Sequence, residues 1–276
     1  MMRSETWKNA AMIVIKKRLN MQACRTFVCS MLTCLTVVLS FATAAAQDQP
    51  AFPERRIPEP LKVYMGRTIA VTMHYTGAEW LIRNEREREE RCSMVLTNLG
   101  VKPGMKVCDM GCGNGFYTLQ IAQMVGPQGH VYAVDIQPEM LKMLNFRADQ
   151  EGVANFSPIL GSELDPRLPK ESVDMILCVD VYHEFSYPEQ MLAAMRQALA
   201  PDGVIVLVEF RAEDPKVPIK PEHKMTKAQV LKEMKPNGFK LVKEFEKLPW
   251  QHMMFFGKDE DFTPPAPRGV KNTSRE

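Results

Sequence analysis

Metal and thiol chemistry is what this chain is least equipped for. It has seven cysteines, but Cys24, Cys29 and Cys34 fall in an N-terminal apolar run, and Cys92, Cys108, Cys112 and Cys178 include no C-x-x-C pair. Cys108 and Cys178 lie inside expected strands, where cysteine acts as a small buried apolar group. His74, His130, His183, His223 and His252 are scattered with no ligand spacing, so no metal is expected. A surplus of positive charge is missing too. The chain holds 35 Lys or Arg against 33 Asp or Glu, and six of the first but one of the second precede residue 47, leaving the remainder slightly acidic. Proteins that grip phosphate backbones need clustered basic charge, so nucleic acid is not an expected partner. No internal repeat is present.

Residues 27–46 carry no charge, come after Lys16, Lys17, Arg18 and Arg25, and end in Ala44, Ala45 and Ala46 before Gln47. A basic flank, an apolar centre and a small-residue end match a secretory signal peptide. The alternative is an uncleaved anchor, since the run approaches a spanning length, with membrane association through residues 27–46. Either way the charge bias places the chain beyond residue 46 outside the cytoplasm, in the periplasm or secreted. Residues 47–60, with four prolines, read as a linker, and 61–89 as an N-terminal helical lid. Residues 90–258 read as the main domain and 259–276, with Pro264, Pro265 and Pro267, as a disordered tail.

Within the main domain, Val107-Cys-Asp-Met-Gly-Cys-Gly-Asn-Gly115 places an apolar run, Asp109, and then Gly111, Gly113 and Gly115 at alternate positions. Residues without a side chain let the backbone turn sharply and let a ligand approach the peptide groups at the mouth of the next helix. The dinucleotide fingerprint G-x-G-x-x-G needs glycine where this chain has Asp109 or Phe116, which argues against a nicotinamide oxidoreductase. Met105 to Met110 supplies a buried strand into the turn, and Tyr117, Ile121, Met124 and Val125 repeat at helical spacing up to Gly126-Pro127. His130 to Asp135 reads as a second strand ending in a carboxylate. At such a strand end Asp135 can accept hydrogen bonds from both ribose hydroxyls of an adenosine, or cap the helix opened by Pro138.

The pattern V-x-D-x-G-x-G-x-G resembles the first motif of class I methyltransferases that use S-adenosylmethionine (SAM), and the resemblance covers about residues 90–258. It implies a doubly wound, mostly parallel seven-stranded α/β sheet with helices on both faces, SAM as cofactor, and a methyl transfer to a small-molecule acceptor. Asp109, Gly111, Cys112, Gly113, Asn114 and Gly115 would form the cofactor turn, with Asp135 and Ile136 at the ribose. Asn155 to Leu160 would be strand three, Ser172 to Val179 strand four and Val204 to Val208 strand five, with Phe239–Phe245 and Met253–Phe256 as an antiparallel pair. Relatives usually carry aspartate after the glycine at the end of strand three. Here Ser162 and Glu163 stand there, and the adenine contact is open between them. Asp180 at the end of strand four would be a further cofactor contact.

Just beyond it, His183 is the candidate base and Tyr182 the candidate lining of the methyl channel; a hydrogen bond from His183 to loop backbone is the plainer alternative. Tyr64, Arg67, His74 and Trp80 are lid candidates, with Arg67 available to a carboxylate of cofactor or substrate, although helix packing on the sheet accounts for them equally. The charged run Arg83 to Arg91 reads as a solvated helix face with an i,i+4 pair between Glu87 and Arg91. Lys220 to Thr226 occupies the place where related enzymes insert substrate-binding elements, while Thr226 can equally cap a helix with Gln229. The Asn-Pro-Pro-Tyr signature of enzymes that methylate adenine or glutamine nitrogen is absent. A SAM-binding sensor or scaffold without turnover is the reading from a different class.

Overall fold

The computed structural model describes residues 57–264; the expected leader, most of the linker and the distal tail lie outside them. A short hairpin, β1 (Val63–Tyr64) and β2 (Arg67–Thr68), leads to a 3-10 helix over Tyr75–Ile82, then α1 (Arg86–Glu90) and α2 (Cys92–Leu99). The main sheet begins with β3 (Lys106–Met110), α3 (Phe116–Val125), β4 (His130–Asp135), α4 (Pro138–Glu151), β5 (Phe156–Leu160) and β6 (Val173–Val179). It is completed by α5 (Pro188–Ala198), β7 (Leu199–Arg211), β8 (Lys224–Met225), α6 (Lys227–Met234), β9 (Phe239–Phe245) and β10 (Gln251–Lys258).

The strand order is β5-β4-β3-β6-β7-β10-β9, with β10 antiparallel to both β7 and β9. The mostly parallel, doubly wound sheet expected from the sequence is therefore what forms, with one addition. Two-residue β8 pairs parallel with β7 at Phe210 and Arg211, beyond Val208 where the β6 pairing stops. Parallel strands covered on both faces need apolar residues on both faces, and β6 supplies them. Ile176 and Cys178 pack with Leu192 and Met195 of α5 and Met234 of α6, while Met175 and Leu177 pack with Ile121 and Val125 of α3 and Val95 of α2. The sheet edges are protected differently: β5 carries Pro158, which has no N–H to offer a further strand, and β9 exposes Lys240, Lys243 and Glu244.

From β3 the chain steps one way to β4 and β5 and the other way to β6, so the crevice beyond the strand ends opens between the β3 and β6 ends. Two sequence expectations change here. The segment 61–89 is a hairpin followed by a 3-10 helix over Tyr75–Ile82 and most of α1, not one regular helix. The tail packs at its start: Asp259 N–H donates to the Gly238 carbonyl at 2.9 Å, and the Arg196 guanidinium lies 5.4 Å from the Phe262 ring centre.

Candidate active site

The chain leaves β3 through Gly111, Gly113 and Gly115, whose φ angles of 67°, 54° and 86° all lie in the left-handed region. Any other residue there costs about 1–2 kcal/mol in backbone strain. A Cβ at Gly111 would stand 2.6 Å from Val181 Cγ2, and one at Gly113 2.5 Å from Leu81 Cδ1. Gly115 has a different task. It precedes α3, and its missing side chain admits Leu144.

Above this turn lies a cavity of about 570 Å³. Eight of the cofactor-binding and catalytic candidates reach it: Gly111, Gly113, Asp135, Ile136, Ser162, Glu163, Asp180 and His183. The others support it from behind. Asp109 is buried and accepts from Thr118 Oγ1 at 2.6 Å; loss of water raises its pKa to about 6 despite that bond. Cys112 N–H ties the turn to the Val134 carbonyl at 2.9 Å, and Asn114 Nδ2 donates to the Ala78 carbonyl of the 3-10 helix at 3.0 Å.

Asp135 joins two segments. Its Oδ2 accepts from Gly113 N–H at 2.9 Å and its Oδ1 from Gln137 N–H at 2.8 Å, so it braces the glycine turn and does not cap α4, whose N-cap is Gln137. Burial raises its pKa and these backbone bonds oppose the rise. Each oxygen keeps lone-pair capacity for a ligand hydroxyl. Gln137, which sequence reasoning passed over, lines the cavity and clamps the N-terminal segment by accepting from Tyr75 N–H at 2.8 Å and donating to the Met73 carbonyl at 2.9 Å. The Ser162 hydroxyl is spent within its own loop, accepting from Asp165 N–H at 3.1 Å, which leaves Glu163 as the freer of the two.

The far wall departs most from expectation. Tyr182 does not line a channel: it is fully buried and donates its hydroxyl to Glu233 Oε2 at 2.8 Å. Arg67 pairs with the same Glu233, Nε to Oε1 at 2.7 Å, and donates Nη1 to the His183 carbonyl at 2.7 Å, so its carboxylate partner belongs to the protein itself. Tyr64 and His74 do not line the cavity, whereas Trp80 and Leu81 do. The charged run Arg83 to Arg91 is solvated only in part, with Asn84, Glu85, Glu87, Arg88 and Arg91 exposed. Arg86 and Glu90 are buried, paired at 2.7 Å, and line the cavity, while the Glu87 carboxylate accepts from Ser93 N–H at 2.9 Å and Arg91 N–H donates to the Glu87 carbonyl at 3.1 Å. Asp180, with φ 53°, accepts from Gln251 Nε2 at Oδ2 (2.7 Å); its buried Oδ1 has no partner among the described residues. Burial and the nearby Glu90 and Glu209 carboxylates push its pKa far upward.

His183 is only 2% exposed, and its ring bonds side chains, not loop backbone. Nδ1 lies 2.6 Å from Glu209 Oε2, and Nε2 lies 3.0 Å from Nδ1 of His223. Glu209 is held in turn by Tyr182 N–H at 2.9 Å. Burial depresses the His183 imidazolium, but the Glu209 carboxylate outweighs it and the ring titrates above the ordinary histidine value; His223 is lowered by burial and by its neighbour. The Glu184 carboxyl, also on the cavity, is pushed up to about 7 by burial. The histidines are thus not all scattered: β8 and the turn before it bring His223 against His183.

A family model for a methyltransferase domain matches residues 101–257. The chain is 29% identical over 118 residues to the ubiquinone/menaquinone biosynthesis C-methyltransferase UbiE of Burkholderia orbicola, covering 43% of this chain and 48% of that protein. It is 27% identical over 139 residues to the demethylmenaquinone methyltransferase of Geobacillus stearothermophilus, covering 50% and 59%. The chain therefore spans about half the length of the curated relatives it matches. Among solved structures, a SAM-dependent methyltransferase from Aquifex aeolicus superimposes with a TM-score of 0.63 at 25% identity, covering 67% of this chain and 98% of that one. The PH0226 protein of Pyrococcus horikoshii OT3 shares the fold, with a TM-score of 0.53 at 18% identity over 63% and 90% of the two chains.

SAM is the cofactor of this fold family, and the residues present suit it. The cavity approaches the backbone at Gly111 and Gly113, where a side chain would intrude. Asp135 keeps lone pairs on the cavity wall, and Asp180 Oδ1 is a buried oxygen without a partner among the described residues. With the matched domain spanning more than half its length, the chain belongs to the SAM-dependent methyltransferase-domain family.

Proposed function

We propose that this protein transfers a methyl group from SAM to an apolar small molecule, with Gly111, Gly113, Asp135, Ile136 and Glu163 holding the nucleoside and Asp180 the ammonium group. When bound, SAM supplies a methyl group already activated by its sulfonium, so the protein has to align the acceptor and exclude water. The observation that carries this reading is one cavity lined both by the glycine turn with Asp135 and by the polar cluster His183, Glu184 and His223. Val71, Met73, Phe185, Phe210 and Ile219 add apolar surface to the same cavity. Its volume of about 570 Å³ falls in the ordinary range of small-molecule sites, roughly 300–1,000 Å³. One relative named above is a ubiquinone/menaquinone biosynthesis C-methyltransferase and the other a demethylmenaquinone methyltransferase, which supports a ring-bearing acceptor.

Export is proposed as well, on the charge and length pattern of residues 1–46 alone. The test for the activity is titration calorimetry with SAM and its demethylated product, then release of that product in the presence of fractionated cell extract. Binding together with extract-dependent release is expected. Absence of SAM binding would overturn the reading, and binding with no release from any fraction would favour a sensor.

A further inference from the structure

We propose that His183, Glu184 and His223 form a divalent transition-metal site facing the cavity, of the kind that takes zinc, with an open position for an oxygen of the bound acceptor. One ligand atom from each of the three residues lies within 4.8 Å of the other two, and all three residues line the cavity. The two nitrogens that face each other, His183 Nε2 and His223 Nδ1, are 3.0 Å apart. Two imidazole nitrogens bound to one divalent ion at about 2.0–2.1 Å stand roughly 3.0–3.4 Å apart, so a small ring rotation seats an ion between them. The observed contact is equally a hydrogen bond in the metal-free state, with one ring donating.

The supporting shell distinguishes this cluster from a chance meeting of polar side chains. His183 Nδ1 is held by Glu209 at 2.6 Å, and Glu209 is fixed by Tyr182 N–H at 2.9 Å. A carboxylate on the far nitrogen is the usual partner of a metal-binding histidine, because it sets the tautomer and aims the free nitrogen at the ion. Two imidazoles and one carboxylate with a vacant coordination position is a donor set for zinc or a similar ion, while magnesium and calcium prefer oxygen alone. The local sequence explains why the site assembles. His183 and Glu184 share the 3-10 turn Tyr182–Glu184 after β6, and His223 closes the turn Pro221–His223 immediately before β8, which pairs with β7 just past Glu209. With both His183 nitrogens engaged, its role is to hold the ion, and the ion lowers the proton affinity of an acceptor oxygen. That last role, not the metal binding, rests on the methyltransferase reading.

The full chain, stripped with chelator and dialysed, is titrated with Co²⁺, whose visible absorption reports tetrahedral nitrogen and oxygen ligands, and then with Zn²⁺ in competition. One equivalent of Co²⁺, displaced by Zn²⁺, is expected. His223→Ala and Glu184→Gln should each weaken binding at least tenfold, while His252→Gln, which alters a separate histidine paired with Glu213, should leave it unchanged. His223 and Glu184 are chosen because, unlike His183, neither is packed in the core. SAM binding is measured on the same metal-free samples. Absence of stoichiometric Co²⁺ binding, or unchanged binding in His223→Ala, overturns the metal site whether or not SAM still binds; loss of SAM binding alone overturns only the methyltransferase reading.

Discussion

Replacing Asp135 by alanine tests the cofactor end of the cavity most directly. In the folded protein this carboxylate accepts from Gly113 N–H at 2.9 Å and from Gln137 N–H at 2.8 Å, and it lines the cavity. A ligand with ribose hydroxyls adds bonds to a charged acceptor, each contributing about 1.5–3 kcal/mol. Losing one such bond weakens binding roughly 10-fold to 150-fold, since about 1.4 kcal/mol is a factor of ten. Alanine also frees Gly113 N–H, so the turn relaxes and a loss near the upper end of that span is expected. Because SAM and its demethylated product share the ribose, calorimetry should show the same proportional loss for both. A loss confined to SAM would mean that Asp135 acts at the sulfonium, and unchanged affinity for both would refute its placement against the nucleoside. The melting temperature of the ligand-free variant separates a collapsed turn from a lost contact.

Gly111→Ala should lower stability by about 1–2 kcal/mol from the left-handed φ of 67° alone. The contact of its Cβ with Val181 at 2.6 Å adds to that, and Val181→Ala in the same chain should recover part of the difference in urea denaturation. Tyr182→Phe should cost about 1–2 kcal/mol, because Glu233 loses one donor but keeps Arg67 and Gln229, and SAM affinity should not change; weakened SAM binding would restore Tyr182 to the cavity. Asp109 has a folded pKa of about 6 against 3.8. The native state therefore holds this proton more tightly than the unfolded chain, and the stability it contributes is full below about pH 4 and is lost as the pH rises through 6. Asp109→Asn should flatten that part of the stability profile by on the order of 2–3 kcal/mol. Parallel profiles for the two proteins from pH 4 to 7 would refute the shift.

The sequence by itself determined the sheet and its ligand-binding edge. Alternate glycines at 111, 113 and 115 announce a turn through left-handed conformations, and all three have positive φ. Because strands linked by helices run parallel, their carboxyl ends share one edge, and Asp135, Glu163 and Asp180 reach the cavity there from three different segments. These features are local, or depend on element order alone. Only the tertiary structure decided which side chains face inward across segments. The run Arg83 to Arg91 has the composition of a solvated face, yet Arg86 and Glu90 are buried, with the Arg86 guanidinium over the Phe116 and Tyr117 rings at 4.5 Å and 5.2 Å. Tyr182 turns away from the crevice toward Glu233, 51 positions later, and Arg67 reaches that residue across 166. His183 and His223, 40 positions apart, meet because β8 extends the sheet by one short pairing with β7. Periodicity reports which face of its own element a residue occupies; where a loop returns to the sheet depends on packing and pairing that no short window of sequence contains.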